Sequence, residues 1–189
     1  MRSCRDRASV QNTELEHNSI YAALFTHDPG NSWHWAIYLH HASQDSLGNL
    51  MSGYKLHSHN KHGPWIYECS SLNIVSTLTL VLLAKIGAIE DKDWGVEFLN
   101  EFLGPIPMEV PEVDRQREPT YSCRTWFREA IRVLHRAQFF IDCPDVDALE
   151  RELSSQARLV DAKSTRYSNA PSSVLIVSKS SRPFSSAGS

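Results

Sequence analysis

"HWAIYLHH", residues 34–41, is the stretch whose reading decides the fold. In an extended chain successive side chains point to opposite faces. Trp35, Ile37 and Leu39 then share one face, and His34, Ala36, Tyr38 and His40 the other. The segment reads as a strand with two unlike faces. Outward from it, "SIYAALFTH" (19–27) is apolar and β-prone and ends on the turn signal "DPGN". On the other side, "ASQDSLGNLMSG" (42–53) reads as a loop. "YKLHSH" (54–59) and "WIYECS" (65–70), parted by the turn "KHGP", complete an antiparallel meander.

The later half has a different period. "KDWGVEFLNEFLG" (92–104) places Trp94, Phe98, Leu99 and Phe102 at helical spacing and closes on Gly104-Pro105. "YSCRTWFREAIRVL" (121–134) carries the apolar stripe Trp126, Phe127, Ala130, Ile131 and Leu134, with Ser122 as its N-cap. A last helix is expected over 146–162. The apolar run 72–89 fits a strand or a helix, because periodicity does not separate the two. Its Asn, Ser, Thr, Lys and Gly residues argue against a membrane span. The expected organisation is a flexible segment 1–17, one α+β domain over 18–162 with an antiparallel sheet packed on helices, and a disordered Ser-rich basic tail 163–189.

The chain has 189 residues, 41% of them hydrophobic and 22% charged, with a net charge of −3. That composition suits a globular core and gives no electrostatic reason to expect nucleic acid. Cys4, Cys69, Cys123 and Cys143 are widely spaced without a CxxC pair, which favours free thiols in a reducing compartment over a disulfide framework. The N-terminus has no apolar signal region. A cytoplasmic protein is expected, and nothing calls for a cofactor.

Cys123 stands in the first turn of its helix. Unpaired N–H groups and the helix dipole there favour a thiolate and can also receive an oxyanion. The competing reading is packing, since Cys123, Phe127, Ala130 and Leu134 recur at core spacing. A chemical role also needs a base. Seven of the nine histidines fall between residues 27 and 62. His34 opens its strand directly after a turn, and His57 and His59 share one face of the next strand. Alternate histidines in "HSH" also allow a metal site. Arg124, Arg128, Arg132 and Arg136 line one helix face, suited either to phosphate or to the nine acids of segment 90–118. The acids are the favoured partners.

"HWAIYL" resembles the His-Trp-Ala-Ile-Tyr-Val signature of the lecithin retinol acyltransferase-like proteins. These form part of the circularly permuted NlpC/P60, papain-like superfamily. There the histidine strand comes first, a polar residue follows on the next strand, and a cysteine arrives last at a helix start. "YSCRTWFREAI" fits that last position. The resemblance implies a permuted papain-like fold with Cys123 as nucleophile, His34 as base and His57 as the orienting third member. His59 and Glu68 are its rivals. Ser122 stands where the family has Asn, Arg124-Thr125 replaces its Glu-His pair, and the hairpin is longer.

The expected function is cysteine-dependent acyl transfer on an ester, thioester or amide, with a small-molecule or acyl-carrying substrate contacting Trp35, Tyr38, Arg124 and Trp126. The alternatives are a non-catalytic binding domain on the same scaffold and a His-ligated metal hydrolase.

Overall fold

The structure is a computed structural model that describes residues 15–27, 32–44, 50–91, 94–167 and 173–185. It is α+β. A six-stranded sheet is built from β1 (Ser19–His27), β2 (Ser32–Gln44), β3 (Leu50–His59), β4 (Ile66–Leu72), β5 (Leu80–Ala88) and β7 (Val174–Val177). The helices are α1 (Val96–Leu103), α2 (Cys123–Ala137) and α3 (Val146–Tyr167). Short strands β6 (Ile141–Asp142) and β8 (Arg182–Pro183) pair with each other. Spatially the large sheet runs β4-β3-β2-β1-β5-β7, with every pairing antiparallel except β5–β7. Among the described residues no helix is long and apolar enough to cross a membrane.

The alternation read in "HWAIYLHH" sets the layers. Trp35, Ile37 and Leu39 face the helices and join Ile20, Ala22, Leu24 and Leu56 in the main core. From α2 the same core receives Trp126, Phe127, Ala130, Ile131 and Leu134, all wholly buried. Phe127, Ile131 and Leu134 each contribute about 1.5–3 kcal/mol when removed from water. Phe127 meets Trp35 at 5.2 Å and Trp126 stacks on Tyr67 at 5.7 Å between ring centres, so α2 is clamped on β2 and β4. Tyr21, Ala23, Phe25, Ala36, Tyr38 and Leu83 form a second, smaller core on the opposite face.

The open reading of 72–89 resolves into a short 3-10 turn, Ile74–Ser76, followed by β5. Apart from Lys85, which pairs with Glu16 at 2.6 Å, this strand is apolar because it lies inside the sheet with both faces covered. Of the expected loop at 42–53, residues 42–44 belong to β2 and 50–53 to β3, while 45–49 lie outside the described residues. Gly53 lets β3 pass close to β2. Its φ is +156°, and a Cβ there would lie 2.0 Å from the Leu39 carbonyl.

The tail expectation is corrected. α3 continues to Tyr167, and "VLIV" within the Ser-rich stretch adds β7 to the free edge of β5. Glu152 holds this return by accepting from Ser178 Oγ and from the Lys179 and Ser180 N–H groups. Ser181 Oγ donates to the Ile86 carbonyl at 2.7 Å. An exposed strand edge and four apolar residues outweigh the polar average of the segment. Residues 1–14 of the expected N-terminal segment and the "DPGN" turn lie outside the described residues.

Candidate active site

The pairing of β3 with β2 starts at Ile37↔Leu56 and runs toward the hairpin, so Trp35 and Ser58 are not ladder partners. The start of α2 occupies this parting of the strands. Ser122 caps the helix as expected, its Oγ accepting from the Thr125 N–H at 3.2 Å. The half-buried Cys123 thiol lies near the backbone N–H groups of Trp35, Arg124 and Cys123 itself, which pull its pKa down. A sulfur from late in the chain thus lies against the backbone of the residue after His34.

His34 projects from β2 opposite Phe25 of β1. Its Nε2 lies 2.7 Å from His57 Nδ1, and the two rings meet at right angles, 4.7 Å between centres. His57 Nε2 lies 2.9 Å from Glu68 Oε2. His57 and Glu68 are directly opposed across β3 and β4, which brings the carboxylate to the ring. His59 Nε2 approaches the same carboxylate oxygen at 3.3 Å. Among the described residues His34 Nδ1 has no hydrogen-bond partner.

The hydrogen bonds fix the tautomers. A carboxylate only accepts, so neutral His57 carries its proton on Nε2 and presents the Nδ1 lone pair. That lone pair requires the His34 proton on Nε2, which leaves the Nδ1 lone pair of His34 free. The row Glu68–His57–His34 therefore leaves an unprotonated nitrogen at its end.

Burial keeps both imidazoles of the row neutral. Burial, then the neighbouring His57 and Lys55, hold His34 down at about 3. Burial, followed by Lys55, His59 and Lys61, brings His57 to about 3 as well. Burial pushes the Cys123 thiol up, against the lowering pull of the three N–H groups and Arg124. Thiol and imidazoles are all uncharged near neutral pH.

His34, His57 and Cys123 line one cavity of about 380 Å³ with Phe25, Lys55 and Trp65. A second cavity of about 550 Å³ contains Trp33, Trp35, Arg124 and Arg158. Cys123 and Trp65 line both. The three residues expected to carry chemistry are thus brought together, and both rivals for the third place stand behind His57. Of the expected substrate contacts, Trp35 and Arg124 line the second cavity. Tyr38 and Trp126 are wholly buried in the two cores and reach neither cavity. Sequence reasoning missed Lys55, although its alternation with His57 and His59 on one strand face was a usable signal.

The arginine stripe meets acids, Asp114 and Glu118 from segment 90–118 and Glu129, Asp147 and Glu150 from α2 and α3, though Arg128 is buried and not on a solvated face. Arg124 contacts both oxygens of Glu118 at 2.7 Å. Buried Arg128 binds Asp114, Asp147 and Glu150 together, and Arg132 binds Asp114 and Glu129. Burial would raise Asp114, but its bonds to Arg132 and Arg128 prevail and hold it at about 2. This cluster ties the first turns of α2 to α3 and so fixes where Cys123 sits.

The site defines a class: an α+β protein in which a helix-start cysteine, two hydrogen-bonded histidines and a carboxylate converge where two strands part. The chain belongs to the family of unknown function DUF6540, which matches residues 20–141. That span holds all four of these residues. No curated protein and no solved structure shows a significant match to the chain.

Proposed function

We propose that the protein is a cysteine-dependent acyl-transfer enzyme of the permuted papain-like kind. One observation carries the reading: a neutral histidine with an unoccupied Nδ1, oriented through His57 by Glu68, shares a cavity with a helix-start thiol. The chain order of histidine strand, second histidine, then cysteine helix is the order the resemblance implies.

In the first half-reaction His34 Nδ1 takes the Cys123 proton as sulfur attacks the acyl carbonyl. Burial disfavours a preformed thiolate–imidazolium pair, so proton transfer accompanies attack. The carbonyl oxygen becomes an oxyanion that the N–H groups near the sulfur can receive, each such donor being worth about 3–4 kcal/mol. The tetrahedral adduct collapses, the C–X bond breaks, and the leaving alcohol, thiol or amine departs with the proton from His34. In the second half, His34 deprotonates water or an acceptor, which attacks the thioester and returns the Cys123 thiolate, reprotonated by His34. Cys69, Cys123 and Cys143 are all free thiols, and a reducing compartment such as the cytoplasm would keep Cys123 usable. The substrate is a small acyl-carrying molecule held between the two cavities.

The test is covalent trapping. With p-nitrophenyl esters of graded chain length, p-nitrophenol should appear in a stoichiometric burst, with an acyl mass added on Cys123. Cys123→Ser should give no burst. Acylation spread over Cys69 and Cys143, or no adduct at all, rejects the proposal and leaves the cavity as a ligand-binding groove.

A further inference from the structure

We propose that His57, His59 and Glu68 form a site for a zinc-class divalent cation, and that filling it switches off the base at Cys123. The second clause rests on the acyl-transfer reading; the first does not. The three ligand atoms, His57 Nε2, His59 Nε2 and Glu68 Oε2, all lie within 4.8 Å of one another. Zinc bonds to nitrogen and oxygen are about 2.0–2.2 Å, so neighbouring corners of a tetrahedral site are about 3.3 Å apart. The observed separations from Glu68 Oε2 are 2.9 Å to His57 and 3.3 Å to His59. Two imidazoles and one carboxylate are a set zinc accepts, with the fourth corner left for water.

The strands hold this geometry. His57 and His59 alternate on β3, and Glu68 is the cross-strand partner of His57 on β4. His57 is wholly buried and the His59 side chain is 11% exposed, whereas the Glu68 side chain is 41% exposed and gives an ion its way in. Lys55 and Lys61 stand nearby and oppose a cation, which limits affinity and suits a reversible site.

The coupling follows from proton positions. A cation on His57 Nε2 displaces the proton from that nitrogen, and the neutral ring carries it on Nδ1 instead. Nδ1–H then donates to His34 Nε2, and the His34 proton moves to its own Nδ1. Each ring keeps one proton throughout, so none is released by the pair. The lone pair of His34 that serves the thiol is replaced by an N–H bond.

Zinc chloride alone is the probe, with equilibrium dialysis and elemental analysis as the readout. Cys123→Ser should bind one zinc, since the thiol is not a ligand. His59→Ala in the same background should weaken binding at least tenfold. No zinc in Cys123→Ser, or unchanged zinc in His59→Ala, overturns the site. For the coupling, saturating zinc should slow iodoacetamide alkylation of Cys123 at least tenfold in the wild type and leave the His59→Ala rate the same with and without metal. Slowing that persists in His59→Ala means zinc sits on the thiol and overturns the switch. Bound zinc without slowing overturns it too. If the metal-free alkylation rate is indifferent to His34, the acyl-transfer reading fails while the zinc stoichiometry still decides the site.

Discussion

Acidification should destabilise this protein well above the carboxylate range, and His57 sets the size of the effect. Its imidazole is wholly buried and held at about 3, below the ordinary 6.5 it regains on unfolding. Between these values the unfolded chain binds a proton that the folded chain refuses, so stability is full above about 6.5 and falls as pH drops toward 3. From pH 7 to pH 5 the loss from His57 alone comes to about 2 kcal/mol. His34 adds a smaller amount in the same direction, because it is only half-buried. Urea unfolding at pH 7 and pH 5 measures the loss, and the same pair of measurements on His57→Gln isolates the residue. The wild type should lose about 2 kcal/mol more than the variant over this interval. If Glu68 instead held His57 as an imidazolium, the wild type would gain on acidification. Equal losses or a gain would refute the neutral row and the tautomers derived from it.

Glu68→Gln places an amide donor against His57 Nε2 and favours the opposite tautomers. Alkylation and acyl transfer at Cys123 should fall about 10- to 100-fold, less than at a fully buried carboxylate because water can compete there. Arg128→Ala leaves Asp114 and Glu150 buried without their central partner. It should cost about 3 kcal/mol or more in urea unfolding, and it should slow Cys123 alkylation by loosening the start of α2.

The layers of the fold were legible where periodicity was strong. Alternation in 34–41 placed Trp35, Ile37 and Leu39 on the helix side, and the α2 stripe named the residues that meet them. Ser122 was legible as a cap because capping is a local interaction. The 72–89 strand was not, because a segment buried on both faces has no alternation to show. The strand in the tail was hidden by its own surroundings: "VLIV" is four residues long, and only the open edge of β5 makes it a strand. At the site, His34, His57 and Cys123 were reachable through chain order and resemblance. Choosing among His57, His59 and Glu68 was not, since cross-strand register decides which side chain meets His34 and which stands behind it. Tyr38 and Trp126 were misread as substrate contacts because an aromatic residue looks alike in a pocket wall and in a core.

The most direct test of the central claim is the rate at which iodoacetamide alkylates Cys123 at neutral pH, resolved by peptide mass, in the wild type and in His34→Ala. Cys123 should react faster than Cys69 and Cys143, whose thiols burial also pushes up. Loss of the His34 base should slow it about 100-fold or more. A Cys123 rate that matches those of Cys69 and Cys143, or that is unchanged in His34→Ala, would contradict the pairing of this sulfur with this imidazole.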